Sequence, residues 1–582
     1  MKPYAPCLLL ALACFAPGVF AEPGDDALKE YFELETAKIE AGFLAEVKNK
    51  ADWLAKKDTY RKQLFHMLGL SPNRERTDLK ATITGKVEGE GFVVEKLHYQ
   101  SSPGLYVTGN LYLPKERKPN EKFPAILYVC GHGRVKKDGV SYGNKVHYHH
   151  HGSWFARHGY VCLTIDTIQL GEIEGLHHGI YSKNMWWWAS QGYTPAGVEA
   201  WNGIRGIDYL QSRPEVDGER IGVTGRSGGG AYSWWVAALD ERVKAAVPVA
   251  GITSMRNHVV DGCVEGHCDC MYQVNSQGWD FAMISSLVAP RALLISNTDK
   301  DRIFPLDGVV EVHRKTKRVY DMLGASNNLG LQITEGPHKD TQDLRVHAFS
   351  WFNRFLKNER PLIDKPAVKY FEPKDLKVFD KLPEDEITSK IHDTFVLPQV
   401  ASPSVPKDKA CWNAYRKATM AGLKEHVFAG WPENPGKLST ENFQDFTLEQ
   451  LLERVDPFGE PTKVKLLRDP NGKSELSGSS LLASEPSSSS SGVESGDKIL
   501  ETPNLYEQEN AKLELEVDVE MHVHPAVLDI LEPPVRDHVP ERPVEILGVD
   551  AVVLRIERDP AAEAFAEHLE ADHGSSIEAY LE

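Results

Sequence analysis

An α/β architecture is what this sequence predicts: a mostly parallel central sheet flanked by helices, with N-terminal helices before it and a poorly patterned C-terminal extension after it. Three observations carry the prediction. Short continuous apolar runs recur from residue 124 onward, helical stretches alternate with them, and the segment just before them reads as alternating strands. Runs that are apolar on both faces suit strands buried between two helical layers, the environment a parallel sheet provides.

From Asp26 to about Leu70 the apolar residues fall at helical spacing, with Leu28, Tyr31, Phe32 and Ile39 on one face and Trp53, Leu54, Leu64 and Leu68 in a second run. Two helices are expected there. Segments 81–87, 91–100 and 105–113 alternate and carry β-branched residues, as antiparallel strands at a sheet edge do. The buried runs that follow are 125–130, 161–166, 221–225, 245–250, 292–296 and 330–334. Helices are expected at 197–210, 229–239 and 309–323, with a closing helix at 343–357. The division this gives is an export signal at 1–21, a helical segment at 22–75, a catalytic domain at 76–360, a helical appendage or linker at 361–470, a Ser-rich linker at 471–496, and an acidic region at 497–582 that reads as partly disordered.

Composition narrows the function classes. Of 582 residues 41% are hydrophobic and 26% charged, which excludes a fibrous or wholly disordered chain. The formal charge of -18 is not evenly spread: from Ser491 onward there are 23 acidic and 6 basic residues, a net of -17, leaving -1 for everything before. A near-neutral body has no electrostatic footprint for nucleic acid or an anionic membrane surface.

Lys2, the apolar run 8–15 and the small-residue site Val19-Phe20-Ala21 read as an export signal cleaved after Ala21, so a secreted or periplasmic protein is expected. Leu12-Ala13-Cys14 offers a lipoprotein acylation site as the alternative. No later stretch reaches about 18 apolar residues, so no transmembrane helix is expected. Export implies an oxidising compartment in which Cys130, Cys162, Cys263, Cys268, Cys270 and Cys411 can form disulfides, although so few in so long a chain are not a disulfide framework.

The sharpest local signal is Gly225-Arg226-Ser227-Gly228-Gly229. A G-x-S-x-G pattern arises readily by chance in a glycine-rich chain, so its context matters: a buried strand before it and a helix after it make the strand-turn-helix that a nucleophile elbow needs. Small residues flank the serine because the turn is tight, and the hydroxyl lands at a helix N-terminus, where developing negative charge is favoured. The plain alternative is a glycine-rich turn with no chemistry.

An acid and a base are expected on later strand-end loops. Asp299 and Asp301 follow one strand, with Asp301 preferred, and His338 follows the next. His347 falls within the closing helix pattern and reads as a packing or surface histidine. An oxyanion hole would combine the Gly228 N–H with one from His132 and Gly133, in the loop Cys130-Gly131-His132-Gly133. That loop can equally be a turn with an incidental histidine. All four elements sit at carboxyl ends of expected parallel strands, where α/β sheets place their sites.

These motifs, together with Leu105-Tyr-Val-Thr-Gly-Asn-Leu-Tyr-Leu-Pro114 and Asp301-Arg-Ile-Phe-Pro305, resemble the α/β-hydrolase superfamily. Within it they are most similar to the acetyl xylan esterase and dienelactone hydrolase-like branch that borders the prolyl oligopeptidases. The resemblance covers about residues 78–356 and is specific to the superfamily rather than to one substrate. It implies Ser227 as nucleophile, His338 as base and Asp301 as the orienting acid. One residue more than expected separates Asn297 from Asp301, which keeps Asp299 open, and no β-propeller repeat precedes the unit.

Three further clusters stand out. Cys263-Val-Glu-Gly-His-Cys-Asp-Cys270 has metal-binding residue types without the paired C-x-x-C spacing, so a disulfide or a packed free-thiol loop is the preferred reading. His147-Tyr-His-His-His151 and His177-His178 read as a histidine-rich surround of the site mouth, and no metal is expected. Trp186, Trp187 and Trp188 lie in the insertion after the 161–166 strand; adjacent indoles cannot all face a core, so they are candidates for stacking on sugar rings. Burial against the helix bearing Trp234 and Trp235 is the competing reading.

A serine esterase acting through an acyl-enzyme on a polysaccharide such as acetylated xylan, or on a small ester, is therefore expected, with no cofactor. The alternatives are an exported peptidase of prolyl oligopeptidase type and a non-catalytic carbohydrate-binding protein. Nothing in the sequence fixes the oligomeric state.

Overall fold

The computed structural model describes residues 23–70, 74–263, 268–396 and 405–427. Within them nine strands build one sheet: β1 (Thr82–Gly89), β2 (Phe92–Ser102), β3 (Leu105–Pro114), β4 (Phe123–Val129), β5 (Val161–Ile165), β6 (Val216–Arg226), β7 (Val243–Val249), β8 (Ala292–Thr298) and β9 (Leu329–Thr334). Their spatial order is β1-β2-β3-β5-β4-β6-β7-β8-β9. The first three are antiparallel to one another, β3 is antiparallel to β5, and every pair from β5 through β9 is parallel. The sheet is thus mostly parallel with an antiparallel edge, as the change from alternating to continuous apolar runs predicts.

Two helical layers cover the sheet. The main helices are α1 (Pro23–Gly42), α2 (Lys50–Met67), α3 (His149–Arg157), α4 (Pro195–Ser212), α5 (Gly228–Leu239), α6 (Leu306–Met322), α7 (Gln342–Phe352) and α8 (Lys409–His426). Successive residues of a strand point to opposite faces. In β4, Leu127 lies against Gly206 of α4, whereas its neighbour Tyr128 meets His151 of α3, with ring centroids 4.5 Å apart. Trp154 of α3 stacks on Phe349 of α7 at 3.6 Å, which binds these two helices together on the same face.

Residues 361–396 lie along this body mainly as irregular chain with short turns, because proline and charge interrupt any longer helix there. Leu376, Ile391 and Phe395 are buried. The carboxylate of Glu172 accepts the N–H groups of Val378 and Phe379 at 2.6 and 2.9 Å and pairs with Lys145 Nζ at 2.6 Å, which also reaches Asp166 at 3.0 Å. The long helix of the expected 361–470 appendage is α8. The expected signal at 1–21, the Ser-rich linker and the acidic region lie outside the described residues.

Among the described residues Cys130, Cys162, Cys263, Cys268, Cys270 and Cys411 are all unpaired. The disulfides that an oxidising compartment would allow are not formed among them. No helix of the described residues is long and apolar enough to cross a membrane.

Candidate active site

The turn between β6 and α5 holds Ser227 at φ 60° and ψ -123°, a conformation rare for a residue with a side chain. Such strain persists only where the surroundings enforce it. Here a Cβ on Gly225 would lie 2.1 Å from the Val129 carbonyl oxygen, and one on Gly229 would lie 2.2 Å from the same atom. Glycine is required on both sides of the serine because β4 passes this close, and the hydroxyl is lifted clear of the sheet as a result.

His338 follows β9 and faces the serine. Its Nε2 is 2.9 Å from Ser227 Oγ, and its Nδ1 is 2.7 Å from Asp301 Oδ2. In the tautomer that lets Nδ1–H donate to Asp301, Nε2 accepts from the serine hydroxyl, the arrangement needed for proton removal. The other Asp301 oxygen accepts the N–H groups of Ile303 and Phe304 at 2.9 and 3.0 Å, so the buried carboxylate is fixed before it meets the imidazole. Burial lowers the His338 pKa below the ordinary histidine value; the hydrogen bond to Asp301 opposes this and the Arg226 charge adds to it.

The loop after β4 comes to the other side of the serine. A Cβ on Gly228 would lie 2.5 Å from His132 Nε2, so the imidazole packs on the first turn of α5, whose leading N–H groups lack intrahelical acceptors. His132, Gly133, Ser227 and His338 line a cleft with about 320 Å³ of room, together with His147, Tyr148, Arg226, Met271 and Ile303. No carboxylate is among these lining residues. A bound carbonyl here would have a hydroxyl nucleophile and a base on one side and N–H donors on the other.

Several sequence candidates stand elsewhere. Asp299 is exposed and accepts the Gly336 N–H at 2.8 Å, so Asp301 is the carboxylate that meets His338. His347 is exposed on α7. Of the three tryptophans, Trp188 is fully buried, its ring 4.9 Å from Tyr193 and 5.6 Å from His392, and cannot stack on a sugar. Gly179 admits it, since a Cβ there would lie 2.0 Å from the indole. Trp186 and Trp187 are 66% and 37% exposed, and neither lines the cleft.

The histidine-rich run divides by role. His147 lines the cleft, whereas His149 accepts the Tyr370 N–H at 2.9 Å, and His150 and His151 each place Nε2 2.9 Å from one Asp340 oxygen. Asp340 lies two residues beyond His338 and ties that loop to α3. Sequence reasoning did not pick out Asp340, Arg226 or Tyr148, and nothing local distinguishes them; they matter through contacts across the sheet. His132 also meets Cys270 at 3.2 Å, a pairing foreshadowed only by the separate Gly-His-Gly and Cys-Asp-Cys signals.

Residues 104–280, which span β3 through the elbow and beyond, match the model of the family described as X-Pro dipeptidyl-peptidase (S15 family). The mostly parallel sheet between helices, with the serine at the strand-to-helix turn, is the fold of the α/β-hydrolases. The chain is 28% identical over 308 residues to "Putative hydrolase YtaP" of Bacillus subtilis (strain 168), covering 51% of this chain and 98% of that one. It is 26% identical over 166 residues to "Dipeptidyl-peptidase 5" of Porphyromonas gingivalis (strain ATCC 33277), a match over 28% of this chain and only 22% of that protein. Among solved structures, "Methylesterase BT1017" aligns with a TM-score of 0.47 at 21% identity, covering 66% of this hydrolase and 81% of that chain.

Proposed function

We propose that this hydrolase is an exported serine esterase that removes acyl groups from a polysaccharide such as acetylated xylan. The observation that carries the reading is the continuous hydrogen-bonded line from Ser227 through His338 to Asp301, opening onto a cleft with no carboxylate among its described lining residues. In this scheme Ser227 Oγ attacks the ester carbonyl as His338 takes its proton. Asp301 holds the imidazole tautomer and stabilises the imidazolium, and N–H groups of Gly228 and of the His132–Gly133 turn bind the oxyanion. His338 then protonates the leaving alcohol, and water repeats the sequence on the acyl-enzyme. No cofactor enters. Trp186 and Trp187 offer exposed indole faces for a sugar in the insertion after β5, and the apolar run at 8–15 supports export.

A peptidase is the second reading, favoured by the family match at 104–280. A dipeptidyl substrate carries a free ammonium that would want a carboxylate partner, and the described lining residues of the cleft offer none. The two readings separate on p-nitrophenyl acetate and acetylated xylan against an Xaa-Pro p-nitroanilide. Ester turnover with amide turnover at least about 100-fold lower in kcat/KM supports the esterase, and the reverse order overturns it.

The same assay yields a pH profile. Because only neutral His338 can accept the serine proton and its pKa lies below the ordinary histidine value of 6.5, kcat/KM stays flat through neutral pH. Its acid limb falls at an apparent pKa below that value, and a limb at or above it would contradict the burial argument.

A further inference from the structure

Behind the loop that carries His132 lies a cluster the hydrolytic scheme leaves unused. Cys268 and Cys270 flank Asp269 in the short turn Asp269–Met271 and are 2% and 0% exposed. Cys270 Sγ is 3.2 Å from His132 Nε2, and one ligand atom from each of His132, Cys268 and Cys270 lies within 4.8 Å of the others. His177 joins them from the insertion after β5, its ring centroid 5.6 Å from that of His132, and its buried Nε2 has no hydrogen-bond partner.

We propose that His132, Cys268 and Cys270, with His177 as fourth ligand, bind one thiophilic divalent cation of the zinc class, fixing the His132 loop against the nucleophile turn. Two buried sulfurs and the His132 imidazole nitrogen converge here with the His177 ring beside them, and together they offer the donor set and number of a closed tetrahedral zinc site; hard cations such as Mg²⁺ and Ca²⁺ prefer oxygen. The separation of His132 and Cys270 is close to that of two ligands sharing one metal, whose bonds of about 2.1 and 2.3 Å open at a tetrahedral angle.

Ligation accounts for neighbouring cysteines staying unpaired in a protein we propose to be exported.

The site differs in kind from the hydrolytic machinery, since four protein ligands leave no open position for substrate. Its effect on catalysis is positional. The metal holds the His132 imidazole over Gly228, and so holds the loop whose backbone faces the oxyanion.

Full-length protein purified without chelator and dialysed against zinc is expected to retain about one equivalent by mass spectrometry of the metal. A Cys268→Ser/Cys270→Ser variant is expected to retain at least about tenfold less, and Cys263→Ser as much as the parent. Because the double variant can fail to fold, Co²⁺-loaded parent protein provides the second readout, with intense thiolate-to-cobalt charge-transfer absorption expected. Zinc content in the parent no higher than in the double variant, cobalt spectra lacking that band, or an intact mass showing Cys268 and Cys270 oxidised to a disulfide would each overturn the proposal. None of these readouts depends on the identity of the ester substrate, so esterase failure and metal-site failure are separately visible.

Discussion

Replacing Ser227 with alanine is expected to lower ester turnover by about 10⁴-fold or more while leaving the fold unchanged. The substitution removes only Oγ, the atom 2.9 Å from His338 Nε2. Alanine keeps the Cβ, so the strain of a non-glycine residue at φ 60° is the same in both proteins and the elbow has no reason to relax. The variant is therefore expected to match the parent in thermal unfolding, and the loss to appear in kcat with KM little changed. A residual rate within about tenfold of the parent would mean that another group attacks the ester.

The second large effect is expected at Asp301 and distinguishes it from its neighbour. Asp301→Asn keeps the size of the side chain but can present an NH₂ group to His338 Nδ1, stabilising the tautomer that leaves Nε2 protonated and unable to take the serine proton. A loss of about 10⁴-fold in kcat is the scale for this change. Asp299→Ala is expected to cost less than about tenfold, because that carboxylate is exposed and its contact is with the Gly336 N–H rather than the imidazole. Equal losses at the two positions, measured with the same ester, would contradict the geometry of the loop after β8.

Much of the sheet and of the candidate site was legible in the sequence because its signals are local. The switch from alternating to continuous apolar runs near residue 124 marks where the sheet changes from antiparallel to parallel, and Gly225 and Gly229 flank Ser227 because Val129 leaves no room for a Cβ. The preference for Asp301 over Asp299 rested on the resemblance carried by Asp301-Arg-Ile-Phe-Pro305. The structure adds the physical reason: Asp301 is the residue whose carboxylate can accept two N–H groups of its own turn and still reach His338.

What the sequence hid depends on contacts between distant segments. Three consecutive tryptophans say nothing about which one is covered, and Trp188 is buried because Gly179 and His392, nine and 204 positions away, leave a slot for its ring. His150 and His151 read as candidate surround for the site mouth but serve to anchor Asp340, which steadies the His338 loop. His132 and Cys270 are 138 positions apart, so a cluster joining them could not be seen from the spacing of the cysteines alone.

The most direct test of the account is to treat the full-length parent protein with a fluorophosphonate at neutral pH and locate the adduct by peptide mass spectrometry. Stoichiometric labelling confined to Ser227, and abolished in His338→Ala, is the predicted result, because the hydroxyl is reactive only while the imidazole accepts its proton. An unlabelled protein, or an adduct on a different serine, would contradict the assignment of Ser227 and His338 as the centre of this hydrolase.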